Sequence, residues 1–149
     1  VLHTDYRNHA FSDKDELLIG ERSLERTKRY GTDSMNAIVA VQEAVKNGVK
    51  EVSTINADKV GMLGHSMGGG VTMYSLVSHP ELIDAAVLYA PVHMNEFYNF
   101  ERWMGKRLSI EDTKKLESEI GSVSTPANFL PFSPEQYLSR IEAPIQMYF

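Results

Sequence analysis

Asp58-Lys59-Val60-Gly61-Met62-Leu63-Gly64-His65-Ser66-Met67-Gly68-Gly69-Gly70 decides the fold class of this chain. Val60 to Leu63 is a short apolar run without polar alternation, which reads as a parallel strand buried on both faces. Val71 to Ser78 reads as a helix closed by His79-Pro80. Between them lies Gly64-His65-Ser66-Met67-Gly68, a G-x-S-x-G pentapeptide in a strand–turn–helix frame. The logic of the pentapeptide is steric. A serine on a very sharp strand-to-helix turn sits in a strained backbone conformation, and small residues two before and two after it let the two arms pass. Gly64 and Gly68 fill those places, and Gly69 and Gly70 let the helix lie close to the sheet. The turn pushes the Ser66 hydroxyl out to where a histidine can take its proton. The Met67 N–H lies at a helix start, where free N–H groups and the helix dipole favour negative charge. It would face the same reacting carbonyl as one oxyanion donor.

Working outward, a helix precedes this stretch. Thr32, Asp33 or Ser34 can cap it, and Met35, Ile38, Val39, Val41, Ala44 and Val45 recur at helical spacing. Asn47-Gly48 ends it, and Glu51 to Ala57 is a connector. Downstream, Ala85-Ala86-Val87-Leu88-Tyr89-Ala90 is the next strand, and Ile145 to Phe149 the last. Helix, strand, helix, strand is the order of an α/β sheet, mostly parallel and flanked by helices. The pattern breaks between Pro91 and Leu130. Glu96 to Arg107 reads as a helix with Phe97, Phe100, Met104 and Leu108 on one buried stripe. Ser109 with Asp112 caps a second helix through Ile120, which Gly121 stops. Ser124 to Pro134 reads as loop, and Ser133-Pro134-Glu135-Gln136 as the start of a helix reaching Ile141. At the front, Val1 to Thr4 reads as a strand end, and Asp5 to Asp15 as turn-like. Asp15 to Arg29, with Leu17, Leu18, Ile19 and Leu24, reads as a loop or short helix.

Composition narrows the function. The 149 residues are one domain's worth of chain, 42% hydrophobic and 23% charged. A net charge of −5 leaves no basic footprint for nucleic acid. Without cysteine there is no disulfide scaffold, thiolate zinc site or cysteine nucleophile. No H-E-x-x-H or His/acid cluster suggests a metal, and Gly68-Gly69-Gly70 lacks the lysine of a phosphate loop, so no cofactor is expected. The longest apolar run, Ala85 to Ala90, is far below the ~20 residues that span a bilayer. No membrane partner is expected, and no signal peptide shows. The compartment is left open, with the cytoplasm slightly favoured. Val1-Leu2 and Ile145 to Phe149 both read as middles of strands, so the expectation is a piece of a longer protein. Such a piece, with hydrophobic sheet edges, is expected to be poorly soluble and inactive alone.

These residues together resemble the α/β-hydrolase superfamily. Asp58 to Gly70 is similar to the nucleophile region of its prolyl-oligopeptidase-like and dienelactone-hydrolase-like branches. Asp5-Tyr6-Arg7-Asn8-His9-Ala10-Phe11-Ser12 is similar to a D-x-R-G-x-G-x-S turn after an earlier strand. Ile141 to Phe149 is similar to the strand that leads to the triad acid. Asn8 and Ala10 replace the two glycines of the early turn. Asn8 tolerates a left-handed backbone and keeps the geometry, whereas Ala10 is expected to alter it. The turn is read as structural. The resemblance implies a partial α/β-hydrolase fold over 1–149 with a helical cap insertion at about 93–132. It also implies an acid shortly after Phe149, a histidine further on, and a second oxyanion donor from a loop before Val1.

The resemblance makes Ser66 the catalytic nucleophile and the Met67 N–H an oxyanion donor, with Gly64, His65 and Gly68 shaping the elbow. His65 is expected to point into packing, and His79 to be a surface residue at the far end of its helix. His3 and His9, near the early turn, carry no assigned role. His93, just after a strand on the site's side, is a candidate substrate contact, with Tyr98 and Trp103, which fall off the buried stripe. The leading expectation is a serine hydrolase acting on a small-molecule ester or peptide substrate, as a peptidase or a carboxylesterase. The alternative is a non-catalytic binding domain that keeps the fold. Oligomeric state is not specified by the sequence.

Overall fold

Three short strands meet in the computed structural model, which describes residues 1–15 and 23–149. β1 (Gly61–His65), β2 (Ala85–Tyr89) and β3 (Ile145–Tyr148) lie in the order β1-β2-β3, and both pairings are parallel. In register, Gly64 stands beside Leu88 and Leu88 beside Met147. The expected parallel α/β sheet is therefore present. Val1 to Thr4 is not a strand, and Val1 and Leu2 are exposed. The expectations for Leu17, Leu18 and Ile19 lie outside the described residues.

Helix α1 (Arg26–Lys46) begins earlier than the sequence predicts. The three predicted caps lie inside it because each has another partner. Asp33 accepts from the Arg7 backbone N–H (3.0 Å) and guanidinium (2.6 Å). Thr32 and Ser34 donate back to the carbonyls of Lys28 and Tyr30. Gly31 lowers helix propensity by ~1 kcal/mol but permits close contact with the next helix. A Cβ there would lie 3.4 Å from Ser75 Oγ and Tyr74 Cβ. The end at Asn47 is as predicted, with Gly48 left-handed at φ 71°. Helix α2 (Met67–Ser78) starts directly after Ser66 and is buried from Gly69 to Val77.

Side chains of one sheet face make the core. Ala86 and Leu88 pack with Met35 of α1 and Met73 and Leu76 of α2, joined by Met62, Ile145 and Met147. Burying Leu76 and Leu88 completely is worth about 2–3 kcal/mol each. The opposite face is open: Leu63 is 72% exposed, and Tyr89 and Tyr148 are exposed too. The prediction that β1 is buried on both faces is thus corrected. The topology gives the reason. β1 to β2 and β2 to β3 step the same way across the sheet, and successive right-handed crossovers then lie on one face. Both α2 and Ile141, beyond the second crossover, join the same cluster.

The segment between β2 and β3 builds a second apolar cluster from Phe100, Leu116 and Phe129 together with Leu24 from before α1, with Phe97, Met104 and Leu108 against it. The predicted stripe is therefore core. The predicted single helix Glu96–Arg107 is instead α3 (Glu96–Asn99) followed by a π-helical turn, Phe100–Met104. The wider turn closes from Gly105 N–H to Phe100 C=O (2.8 Å), and the Phe100 ring lies 2.9 Å from where a Gly105 Cβ would stand. Helix α4 (Ile110–Ile120) matches its prediction: Ser109 Oγ accepts from Asp112 N–H, and Gly121 ends it at φ 86°. The predicted loop and last helix are short 3-10 turns, Pro126–Phe132 and Pro134–Arg140. Ser133 does not cap the second of these through its side chain. Its hydroxyl donates to Phe129 C=O and accepts from Glu96 N–H, tying the two ends of the segment together.

Side-chain bonds hold the early turn. Arg7 bridges Asp33 and Asp15. Burial opposes ionisation of Asp33, but the Arg7 hydrogen bonds outweigh it and hold this carboxyl below its ordinary range. Asn8 exchanges two side-chain hydrogen bonds with the Asp15 backbone at φ 66°. Ala10 also takes a positive φ, 42°, so alanine is accommodated in the left-handed region, against expectation.

Candidate active site

Ser66 sits between β1 and α2 at φ 54°, ψ −116°, a conformation costing about 1–3 kcal/mol that surrounding structure must impose. Its N–H donates to Tyr89 C=O (3.0 Å), and its own carbonyl accepts from Gly69, Gly70 and Val92 N–H at 3.0, 3.3 and 3.1 Å. The turn is thus fastened to both α2 and the end of β2. A second strained residue, Ala90 at φ 42°, ends β2, with its N–H on Tyr148 C=O (2.7 Å).

Glycine is needed at three positions around the serine. A Cβ on Gly64 would stand 2.2 Å from Gly68 O and 2.5 Å from Thr72 Oγ1. One on Gly69 would be 2.6 Å from Pro91 Cβ, and one on Gly70 2.6 Å from Val92 Cγ2. Gly68 differs from its prediction: outside its own helix a Cβ there would meet nothing within 4 Å. The close approach falls on Gly64 against the Gly68 backbone, so only one of the pair must lack a side chain.

The result is an exposed Ser66 whose hydroxyl makes no hydrogen bond among the described residues. Met67 N–H, at the first position of the twelve-residue α2, likewise has no acceptor among the described residues. A hydroxyl and an oriented free N–H at a positive helix end suit attack on a carbonyl and capture of the oxyanion. His65 does not point into packing. It is exposed on the open sheet face, its ring 5.3 Å from that of Tyr89, because no helix covers that face among the described residues. His79 lies at the far end of α2 beside Glu81 (3.3 Å), as predicted. His9 faces the Tyr30 hydroxyl at 3.1 Å.

His93 and Tyr98 come together, with ring centroids 4.6 Å apart and both exposed. Trp103 does not join them. It is exposed on the π-helical turn under the Arg102 guanidinium, 5.0 Å from its ring centroid. Two cavities, of 310 and 180 Å³, run along α2 beside Tyr74 and Ser78, and neither borders Ser66.

Sequence reasoning missed four polar residues here. Asn95 and Asn99 are buried and fix His93: Asn95 N–H donates to His93 Nδ1 (2.9 Å), and Asn99 exchanges two hydrogen bonds with the His93 backbone (3.0 and 2.7 Å). Glu96 and Tyr74 form the other pair. Glu96 is 4% exposed, and burial pushes its carboxyl up to about 7. The Tyr74 hydroxyl, itself raised by burial, lies 3.2 Å from Glu96 Oε1 and also donates to Phe132 C=O. The only signal was Asn95 and Asn99 at helical spacing beside an acid, which also fits a solvated helix face.

The sequence profile of the alpha/beta hydrolase fold matches residues 1–110, which contain the strand–turn–helix of Ser66 and the loop of His93. No curated protein sequence matches the chain.

Proposed function

The chain belongs to the alpha/beta hydrolase fold family, and from that membership we propose that it is a serine hydrolase with Ser66 as nucleophile. The observation that carries the reading is the exposed Ser66 on a strained turn with the Met67 N–H free beside it. A base takes the Ser66 proton as Oγ bonds to the carbonyl carbon of an ester or amide. The carbonyl oxygen becomes an anion against Met67 N–H. Collapse expels the alcohol or amine, which recovers the proton, and water then cleaves the acyl-serine by the same route. In this reading the acid and histidine follow the serine in chain order. His79 is at the wrong end of α2, and His93 is engaged otherwise, so neither is taken as the base in this reading.

Substrates are small-molecule esters or peptides, in the manner of a prolyl-oligopeptidase-like peptidase or a carboxylesterase. In this reading residues 93–132 act as a cap, supported by the apolar cluster they build around Phe100 and Phe129. A non-catalytic binding domain that keeps the fold is the second reading. Fluorophosphonate labelling of the protein carrying this sequence, followed by peptide mapping, separates the two. Label on Ser66, lost in Ser66→Ala, supports the hydrolase. A folded protein that takes no label supports the binding domain.

A further inference from the structure

The loop after β2 holds one imidazole in a fixed chemical state next to the elbow. Pro91 packs where a Gly69 side chain would be, and Val92 N–H bonds the Ser66 carbonyl. The next residue is His93. Its backbone is clamped on both sides by Asn99, and its Nδ1 accepts from Asn95 N–H. A neutral imidazole has one donor and one acceptor nitrogen. With Nδ1 occupied as the acceptor, the proton is on Nε2, which makes no hydrogen bond among the described residues. The tautomer that would let Nε2 accept a serine proton puts an N–H on Nδ1, facing the Asn95 N–H. His93 is therefore presented as a donor and not as the base. Tyr98 supports one side of the ring, which stays exposed.

We propose that His93 is a specificity residue whose Nε2–H binds a carbonyl or carboxylate oxygen flanking the scissile bond, selecting acylamino and peptide-like substrates over plain alkyl esters. A peptide carries such an acceptor one residue from the bond that is cut, and a simple fatty acyl ester does not. A substrate that carries the acceptor gains a hydrogen bond to a pre-positioned donor that a plain ester cannot make. This inference rests on the serine-hydrolase reading.

Two measurements test it on the protein carrying this sequence. Nitrogen-15 NMR of the histidine rings is expected to show His93 as the Nε2–H tautomer, and the Nδ1–H tautomer would overturn the proposal. Kinetics then compare N-acetylalanine p-nitrophenyl ester with p-nitrophenyl butyrate, which share a leaving group. The ratio of their kcat/KM values is expected to fall about tenfold in His93→Leu and to recover in His93→Gln, which keeps a donor. An unchanged ratio in His93→Leu sinks the proposal, as does a Gln variant no better than Leu. Fluorophosphonate labelling of Ser66 keeps the two failures apart. A labelled enzyme with an unchanged ratio refutes only the role of His93, whereas an unlabelled wild-type protein refutes the hydrolase reading and this inference with it.

Discussion

Ser66 is fixed by three N–H groups on its carbonyl and by a Gly64 with no Cβ, whereas His93, on the loop against it, is fixed by its Asn95 and Asn99 neighbours. The first arrangement is made of backbone and empty space. The second is made of one side-chain amide, that of Asn99, and the backbone N–H of Asn95, both from buried residues. The difference governs what each region tolerates. A methyl group is enough to spoil the elbow, while the loop should fail gradually as single hydrogen bonds are removed.

The largest effect tests the first half of that contrast. In Gly64→Ala the new Cβ would meet a carbonyl oxygen at 2.2 Å, and backbone cannot yield as a flexible side chain can. A loss of about 3 kcal/mol or more is expected, seen as a collapse of the urea midpoint. Gly68→Ala is expected to be neutral or to gain up to ~1 kcal/mol from helix propensity, since nothing outside its helix lies within 4 Å. Equal damage from both would mean that the elbow needs small residues on both sides, as the sequence pattern alone suggested.

The same contrast explains what could be read in advance. Glycine leaves a signature wherever backbone must pass backbone, so the elbow, the stops at Gly48 and Gly121 and the parallel strands were legible. So was the Ser109 cap, because both of its partners lie within four residues. Ser133 has the same local signature, yet its hydroxyl serves Glu96, 37 residues away. Asp33 likewise belongs to Arg7 and not to a helix start. Long-range partners of short polar side chains leave no periodic trace. The fixing of His93 went unseen for a different reason: Asn95 and Asn99 lie only two and six residues on, but polar residues at that spacing equally fit a solvated helix face. Leu63 misled for another reason: an apolar strand residue looks the same whether or not a layer covers it.

Next in size is a pH effect confined to the junction between the loop and α2. Glu96 ionises near 4.5 when solvated and at about 7 when buried beside Tyr74. Below pH 4.5 both states are protonated and the group adds no penalty. As pH rises towards 7 the unfolded chain releases its proton and the folded one does not, so stability falls. The fall totals about 3 kcal/mol at ~1.4 kcal/mol per unit and levels off above pH 7. Glu96→Gln removes this slope, so the variant gains on wild type in urea titrations as pH increases from 5 to 8. A constant difference across that range would show that the carboxyl stays ionised in the fold.

Asn99→Ala probes the loop more gently. It removes two hydrogen bonds to the His93 backbone from a side chain that is 9% exposed, for an expected loss of about 1–3 kcal/mol. Thermal unfolding measures that loss. NMR of His93 should show its ring signals broadened, while fluorophosphonate labelling of Ser66 persists. Loss of labelling with the fold intact would show that the loop and the elbow are one unit, and the contrast would then break.

The smallest effect belongs to the early turn, which combines both modes. Asn8 holds its positive φ through side-chain bonds to Asp15, but Ala10, at φ 42°, has no such help from a methyl group. A left-handed residue with a Cβ costs about 1–2 kcal/mol. Glycine removes that strain, while its freer unfolded chain returns about 0.4–1 kcal/mol of the gain. Ala10→Gly is therefore expected to stabilise the protein by about 0.5–1 kcal/mol, a rise of a few degrees in Tm that differential scanning calorimetry resolves. A fall in Tm would mean that Ala10 is not strained, because the hydrogen bonds of His9 to Tyr6 and of Ser12 to His9 already make its conformation the favoured one. Among the described residues, strain carried without a side-chain partner would then be confined to Ser66, the candidate nucleophile, and Ala90, which directly follow the neighbouring strands β1 and β2.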